Sequence, residues 1–139
     1  MKFKVVLSAV MLFLVSVGAM AGYLQPAPVT ITLNPDGSGF AQGDQLTARN
    51  DKSDTVFIGC GVRMYDNGSG GALSYGWCQA GDASGVQVFC STFNAGLLDG
   101  LKSVSDFSFV IFQFDADGNC TEIGNSTQSF YLPKLKSGK

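Results

Sequence analysis

Most of the chain alternates between apolar and polar residues with the two-residue period of a β-strand. Segment 28–34 shows this most plainly, with valine, isoleucine and leucine at every second position and threonines between them. Because alternate side chains of a strand point to opposite faces, such a segment has one apolar and one polar face. Strands are predicted at 28–34, 39–50, 54–65, 72–79, 85–92 and 105–116, and one or two strands are predicted within 119–133, ending at Pro133.

Polar, glycine-rich segments separate the predicted strands, and the clearest are 34–39, 66–71 and 80–84. Glycine, asparagine and aspartate favour tight turns, and short connections join strands that run antiparallel. The chain contains 18 glycines, which is also typical of a fold with many turns. We therefore predict an all-β fold, a single antiparallel β-sandwich of about seven strands, with a small β-barrel as the alternative.

One segment, 94–104, departs from this pattern. Its apolar residues are spaced as on one side of a helix, and Asn94 can accept hydrogen bonds as an N-cap. Gly96 and Gly100 weaken a helix by about 1 kcal/mol each relative to alanine. We predict one short helix here, lying over one end of the sheet. The spaced apolar residues are Leu97, Leu98, Leu101 and Val104.

Segment 105–116 is the most hydrophobic stretch that follows the N-terminal region. Apolar side chains occupy both faces of the strand predicted here, which indicates a central strand covered on both sides. One face has Phe107, Phe109, Ile111 and Gln113, and the other has Val110, Phe112 and Phe114.

The first 21 residues have the features of a secretory signal peptide. Two lysines precede an apolar run at 5–17, and the residues at 19–21 match a signal-peptidase site. The run is shorter than the roughly 20 residues that span a bilayer, so an uncleaved anchor is the weaker interpretation. We predict a signal peptide at 1–21, a disulfide-bonded β domain at 22–133 and a polar tail at 134–139. The mature chain would be periplasmic or extracellular, without stable membrane insertion.

Few residues are charged, 14 % of the chain, and histidine is absent. Removal of the signal peptide with its two lysines leaves seven basic and eleven acidic residues, a net charge of about −4. The sequence has no basic run, so nucleic acids and anionic membrane surfaces are not predicted partners.

Four cysteines, an even number in a small exported chain, predict two disulfides. They are Cys60, Cys78, Cys90 and Cys120. A zinc site is not predicted, because zinc ligands usually come in close pairs and the nearest two cysteines are twelve residues apart. We predict no metal and no cofactor.

The hairpin predicted around residue 84 favours one pairing of the cysteines. A turn there places Cys78 opposite Cys90, and facing cysteines can meet the distance that a disulfide requires. We therefore prefer Cys78–Cys90, which leaves Cys60 to pair with Cys120. The alternative, Cys60–Cys78 with Cys90–Cys120, stays open.

The stretch FDADGNCTE, residues 114–122, can be interpreted as a calcium loop or as the tip of a hairpin. An EF-hand loop needs glycine at its sixth position and glutamate at its twelfth. Counted from Asp115, these positions hold Cys120 and Ser126. The glycine and asparagine in the middle of the stretch instead suit the positive φ of a tight turn. We predict a hairpin.

Catalytic groups are scarce in this sequence. Without histidine no Ser-His-Asp triad or Cys-His pair can form, and disulfides would occupy all four cysteines. Asp115 or Asp117 with Glu122, the only glutamate, could supply the carboxylate pair of a hydrolase. Carboxylates beside glycine and asparagine more often form turns. We predict that the protein is not an enzyme.

Tyr75 and Trp77 lie on one face of a predicted strand, and Phe89 could oppose them. Exposed together, such rings can form a flat binding platform for sugar rings or for a partner protein. The preferred interpretation is that Trp77 belongs to the core, packed near a disulfide as in many β-sandwiches. Tyr75 and Trp77 are nevertheless the candidate binding surface. In the preceding strand, Gly59 and Gly61 indicate a bulge or a close neighbour.

Four short motifs occur in succession in the C-terminal half of the chain. They are WC at 77–78, FC at 89–90, DGNCT at 117–121 and YLPK at 131–134. With these motifs the chain resembles a group of small exported bacterial proteins that have no assigned function. Because the motifs belong to turns and disulfides, the resemblance implies a bacterial origin and no activity or catalytic residue.

Three classes of function are consistent with these observations. The first is a non-enzymatic binding module of the bacterial envelope or its surroundings that recognises a protein or a glycan. The second is an inhibitor of a secreted hydrolase that presents a rigid loop at 66–71 or 80–84. The third is a hydrolase that uses Asp115, Asp117 and Glu122. An exposed aromatic patch favours the first, a protruding loop the second, and a cleft with a raised carboxylate pKa the third.

Overall fold

Two antiparallel sheets form the fold in the computed structural model, which describes residues 22–134. The strands are β1 (Thr30–Leu33), β2 (Gly39–Asp44), β3 (Phe57–Asp66), β4 (Ala72–Gly81), β5 (Gln87–Thr92), β6 (Phe109–Phe114) and β7 (Cys120–Ser126). The first sheet has the strand order β1-β2-β6-β7, and the second has the order β3-β4-β5. The predicted antiparallel β-sandwich of seven strands is confirmed. Within the described part of the chain, neither sheet closes into a barrel.

Two of the predicted segments fall largely outside this range. The predicted signal peptide, 1–21, and all of the predicted tail except Lys134 lie outside the described residues. None of the helices found between residues 22 and 134 has the length and hydrophobicity needed to cross a bilayer.

The core lies between the two sheets and includes the inner face of β6. Val110 and Phe112 are completely buried there, and burial of such side chains stabilises a fold by roughly 1.5–3 kcal/mol each. β6 lies between β2 and β7, as predicted for a central strand. Its other face is less covered than predicted, because Phe109 and Ile111 are half-buried and Gln113 is exposed.

Two short helices and a 3-10 turn complete the described fold. They are α1 (Gln45–Arg49), α2 (Ala95–Leu101) and the 3-10 turn Ser129–Tyr131. The predicted helix is confirmed by α2, whose first turn donates two backbone hydrogen bonds to the side chain of Asn94 at 2.9 and 3.2 Å. Two buried leucines of α2 pack over Gly76 of β4, in space that a larger residue would need.

The strand predicted at 39–50 is wrong in its second half, where α1 begins. The buried carboxylate of Asp44 accepts a hydrogen bond from the backbone N–H of Thr47 at 2.7 Å and another from that of Ala27 at 2.6 Å. The first bond caps the helix, and the second attaches the N-terminal segment to it. A buried polar cap of this kind gives no signal in the alternation of apolar and polar residues.

The strand predicted at 105–116 is too long, and segment 119–133, predicted to hold one or two strands ending at Pro133, holds one strand that ends earlier. The first begins only at Phe109, because the backbone changes direction at Phe107, where φ is +62°. A positive φ is unusual for a large residue and ends the extended conformation. The second strand ends at Ser126 and is followed by the 3-10 turn.

The preferred cysteine pairing is wrong, and the alternative is correct. Cys60 is bonded to Cys78, and Cys90 is bonded to Cys120. Cys78 does lie opposite Cys90, but β4 is a central strand and Cys60 lies opposite Cys78 on its other side. Cys90 is therefore available to join β7 of the other sheet. The two disulfides indicate an oxidising compartment outside the cytoplasm.

In the described part of the chain, five aspartate side chains accept a hydrogen bond from the backbone N–H two residues later and so close a turn. Three of them, Asp36, Asp82 and Asp115, also accept a hydrogen bond from another side chain. The pKa of each of these carboxyls is lowered, first of all by a hydrogen bond from the side chain of Ser38, Ser84 or Asn119, respectively. Such bonds favour the charged form of the carboxyl.

Candidate functional site

The central strand β4 separates small and large residues between its two faces. Gly76, Cys78 and Ala80 point to the core and are buried, whereas Tyr75 and Trp77 lie on the outer face and are half-buried. A strand with one covered face usually turns its apolar residues toward the core. Here the largest side chains point away from the core and form part of the outer face of this sheet.

The strand register brings further aromatic rings to the same face. Phe89 of β5 lies opposite Gln79, and Phe93 follows the end of β5. Phe89 is 52 % exposed and Phe93 is 62 % exposed. The ring centroids of Tyr75 and Trp77 are 5.8 Å apart, and those of Tyr75 and Phe93 are 5.3 Å apart. We name the set Tyr75, Trp77, Phe89 and Phe93 the aromatic face.

Trp77 packs against the neighbouring strand β3. It lies opposite Gly61, and the indole fills the space that a Cβ atom at this position would need, with the nearest ring atom 2.5 Å from it. Glycine therefore allows the ring to approach the backbone of β3. The close neighbour predicted for these glycines is confirmed at Gly61, whereas no atom lies within 4 Å of the Cβ position of Gly59.

Arg63 is the one charged side chain that the register places on the outer face of this sheet. Its guanidinium lies 5.0 Å from the centroid of the Trp77 indole, a cation–π contact. Across residues 22–134, no carboxylate forms an ion pair with Arg63. The paired strands contribute to this face Phe57, Gly59, Gly61, Arg63, Tyr65, Leu73, Tyr75, Trp77, Gln79, Gly81, Gln87, Phe89 and Ser91.

A shallow depression of about 390 Å³ lies within the aromatic face. Its volume is within the range of about 300–1,000 Å³ that is usual for small-molecule sites. The rings supply apolar surface, Arg63 supplies a positive charge and N–H donors, and the amide of Gln79 can donate and accept. The lining residues are Arg63, Tyr75, Trp77, Gln79 and Phe89.

The sequence prediction for this surface was partly right. Tyr75, Trp77 and Phe89 do share a face, as their spacing predicted. The preferred interpretation that Trp77 belongs to the core is wrong, because the residue lies on the face opposite Cys78 and is only half-buried. Sequence reasoning missed Arg63. This residue is two positions after Gly61 on the predicted strand and therefore shares a face with Gly61, which lies opposite Trp77.

FDADGNCTE forms the predicted hairpin between β6 and β7. The backbone N–H of Asp115 donates to the carbonyl of Asn119 at 3.0 Å, and Gly118 has a φ of +79°. The carboxylate of Asp115 accepts hydrogen bonds from the backbone N–H groups of Asp117 and Asn119 at 3.0 and 2.8 Å. It is therefore engaged within its own turn.

The three candidate catalytic carboxylates are not brought together in a cleft. Glu122 lies opposite Gln113 in the first sheet and accepts a hydrogen bond from its side-chain amide. Asp117 is exposed, and the pKa of Asp115 is lowered by the side-chain hydrogen bond from Asn119 rather than raised. The depression at the aromatic face contains none of these carboxylates. Between residues 22 and 134, no three His, Cys, Asp or Glu side chains are grouped so that they could hold a metal ion.

A second depression, of about 400 Å³, lies where the two ends of the described chain meet. Tyr23, Leu24, Phe107 and Leu132 form much of its largely apolar lining. Small-molecule sites usually combine apolar walls with a few polar groups that orient the ligand. The aromatic face offers that combination more clearly, with Arg63 and the rings directed into one depression.

No protein-family model, curated protein or solved structure matches this chain. The functional interpretation therefore rests on the aromatic face itself. Its rings, its single positive charge and its open depression are the properties that a ligand would have to complement.

Proposed function

We propose that this protein is a non-enzymatic binding module that recognises a glycan through the aromatic face. The supporting observation is the arrangement of β4, which buries Gly76 and Cys78 and leaves Tyr75 and Trp77 on the outer face. Apolar surface left in water costs roughly 25 cal/mol per Å². A ligand that covers these rings removes that cost, so the exposed rings are a source of binding free energy.

A sugar ring complements this surface in shape and chemistry. One side of a pyranose presents mainly C–H groups, which pack on aromatic rings, while the hydroxyl groups surround its edge. Trp77, Tyr75 and Phe93 are adjacent, with centroid spacings of 5.8 and 5.3 Å, so they can contact successive rings of an oligosaccharide. Arg63, whose guanidinium lies over the Trp77 ring, and Gln79 line the same depression and supply hydrogen-bonding groups for hydroxyls.

The proposal includes an exported, bacterial location. The features of residues 1–21 support a signal peptide, and the motifs of the C-terminal half support a bacterial origin. In the periplasm or outside the cell, the module would hold a glycan without changing it. The engagement of Asp115 within its own turn supports this non-enzymatic role.

The single tryptophan of the chain provides a direct test. Because no other tryptophan is present, the fluorescence of Trp77 reports on the aromatic face alone. Galactotetraose and tetragalacturonate serve as the neutral and the acidic probe. At least one of them should quench or shift this fluorescence in a saturable manner, with a Kd that isothermal titration calorimetry reproduces.

Two alanine variants locate the binding surface. Tyr75→Ala should weaken binding about tenfold, because it removes a ring from the aromatic face but keeps the fluorescent reporter. Phe40→Ala removes a half-buried ring from the other sheet and should leave the Kd unchanged. An equal loss in both variants, or no saturable binding to either oligosaccharide, would contradict the proposal.

The second candidate function is an inhibitor of a secreted hydrolase, because the end of the β3–β4 hairpin is an exposed loop held by its own hydrogen bonds. Residues 66–71 are all exposed, and the side-chain oxygen of Asn67 accepts hydrogen bonds from the N–H groups of Ser69 and Gly71 at 3.0 Å each. A loop held in one conformation loses less entropy when it enters a partner's cleft. Assays against secreted glycosidases and proteases test this candidate, which predicts weaker inhibition by Asn67→Ala.

A further inference from the structure

We infer that the ligand of the aromatic face is an acidic saccharide, whose ring packs on Trp77 and Tyr75 while its carboxylate pairs with Arg63. This inference rests on the proposed function and adds the charge of the ligand to it. The observation behind it is the contact between the Arg63 guanidinium and the indole, at 5.0 Å from the ring centroid.

The charge of Arg63 distinguishes this face from the rest of the chain. The full chain carries eleven acidic and nine basic residues, yet the outer face of β3, β4 and β5 contains one cation and no carboxylate. In the described part of the chain, no ion pair neutralises that cation. An anionic ligand therefore meets attraction on this face and no opposing negative charge.

The position of the guanidinium suits a carboxylate on a stacked sugar. Arginine presents a planar fork of N–H donors that matches the two oxygens of a carboxylate. Because the guanidinium lies over the Trp77 ring, a sugar unit that packs on the neighbouring Tyr75 and on the part of the indole that Arg63 leaves open can place its carboxylate at the fork. Gln79, which lines the same depression, remains available for a hydroxyl group.

A neutral saccharide would use this surface less well. Covering Arg63 with an uncharged ring removes water from the guanidinium without supplying an opposite charge, which is unfavourable. A carboxylate removes this cost and gains a charge-assisted hydrogen bond. Because salt screens charges, dissolved salt should weaken binding of an acidic ligand more than binding of a neutral one.

Tetragalacturonate and its methyl ester form a matched pair of probes, equal in ring type and length and different in charge. Titrations followed by Trp77 fluorescence should show that the acid binds about tenfold more tightly than the ester at low salt. The ratio of the two Kd values should fall as sodium chloride is raised.

The two arginines of the chain supply the matched variants. Arg63→Gln should bring the ratio of the two Kd values close to one, while the affinity for the ester changes little. Arg49→Gln makes the same change in net charge at an exposed site on α1 and should keep the ratio. Arg63→Lys keeps the positive charge and should retain part of the preference for the acid over the ester. The emission spectrum and melting temperature of each unliganded variant show whether the indole and the fold are intact.

The outcomes separate this inference from the proposed function. If acid and ester bind equally well and Tyr75→Ala weakens both, the ligand is not selected for charge and only the inference fails. If Arg49→Gln abolishes the preference as strongly as Arg63→Gln, the assignment to Arg63 is overturned. If neither oligosaccharide binds, the inference fails together with the proposed function.

Discussion

The two faces of the central strand β4 are built from opposite kinds of residue. The inner face contains Gly76, Cys78 and Ala80, which are small and buried. The outer face contains Tyr75 and Trp77, the largest side chains of β4. Both faces belong to the same backbone, so strand propensity cannot explain the difference. The difference follows from the elements that cover the inner face, because α2 and the first sheet pack there.

Small residues are sufficient inside because other elements fill the space. Two leucines of α2 pack over Gly76, and the first sheet contributes Phe112 to the core. The disulfides add stability by restricting the unfolded chain, which lessens the need for large apolar residues. The rings of β4 are therefore not required to fill the core.

The largest expected effect distinguishes a core ring from a ring of the outer face. Phe112→Ala should lower the free energy of unfolding by about 3–5 kcal/mol, because the completely buried side chain leaves a cavity. Phe89→Ala should lower it by less than about 1 kcal/mol, because more than half of this side chain is exposed. Urea denaturation measures both changes, and similar losses would show that the outer face is packed like a core.

The next largest effect concerns the disulfide that joins the two sheets. Cys90→Ala/Cys120→Ala opens a link across 30 residues, for which chain entropy gives about 3–4 kcal/mol. Cys60→Ala/Cys78→Ala opens a link across 18 residues within one sheet and should cost less. Guanidinium denaturation under non-reducing conditions compares the two variants. A larger loss from the second variant would show that the inter-sheet link is the less important one.

A smaller effect tests how the outer face is assembled. A Cβ atom at Gly61 would collide with the Trp77 indole, whereas one at Gly59 would meet no atom within 4 Å. Gly61→Ala should therefore move the ring, alter its emission maximum and weaken oligosaccharide binding. Gly59→Ala places the same methyl group on the same face of β3 and should change neither property. Unaltered emission and affinity in Gly61→Ala would be inconsistent with the packing of Trp77 against β3.

The smallest effect concerns the exposed turns, which belong to neither face. The lowered pKa of Asp115 means that its charge stabilises the folded state above the ordinary value near 3.8, and that this contribution is lost as the pH falls further. Asp115→Asn should thus melt slightly below the unmodified protein at pH 7, and the difference should shrink as the pH falls below the ordinary value near 3.8. Thermal melts across this range measure it. A large loss at pH 7 would point to a carboxylate with a greater role than turn formation.

Local patterns predicted the sheets well, because the two-residue period records which residues share a face. They did not predict the disulfides. A single hairpin places Cys78 opposite Cys90, as predicted, but its spacing contains no information that β3 places Cys60 on the other side of Cys78. The order of strands within a sheet depends on contacts between distant segments, which local alternation does not record.

The candidate site, like the disulfides, could be predicted only in part from the sequence. Spacing alone put Tyr75 and Trp77 on one face, but it could not say which face meets the core. That depends on α2 and the first sheet, which leave room only for the small residues of β4, such as Gly76. The contact of Arg63 with the indole depends in turn on the register between β3 and β4.

Amide chemical-shift mapping by NMR is the most direct test of the aromatic face, because it does not assume where a ligand binds. When tetragalacturonate is added to the isotope-labelled protein, the largest changes should occur at 61–63, 75–79 and 89–93. Changes confined to the hairpin end at 66–71, or to the depression around Phe107, would contradict a binding role for the aromatic face.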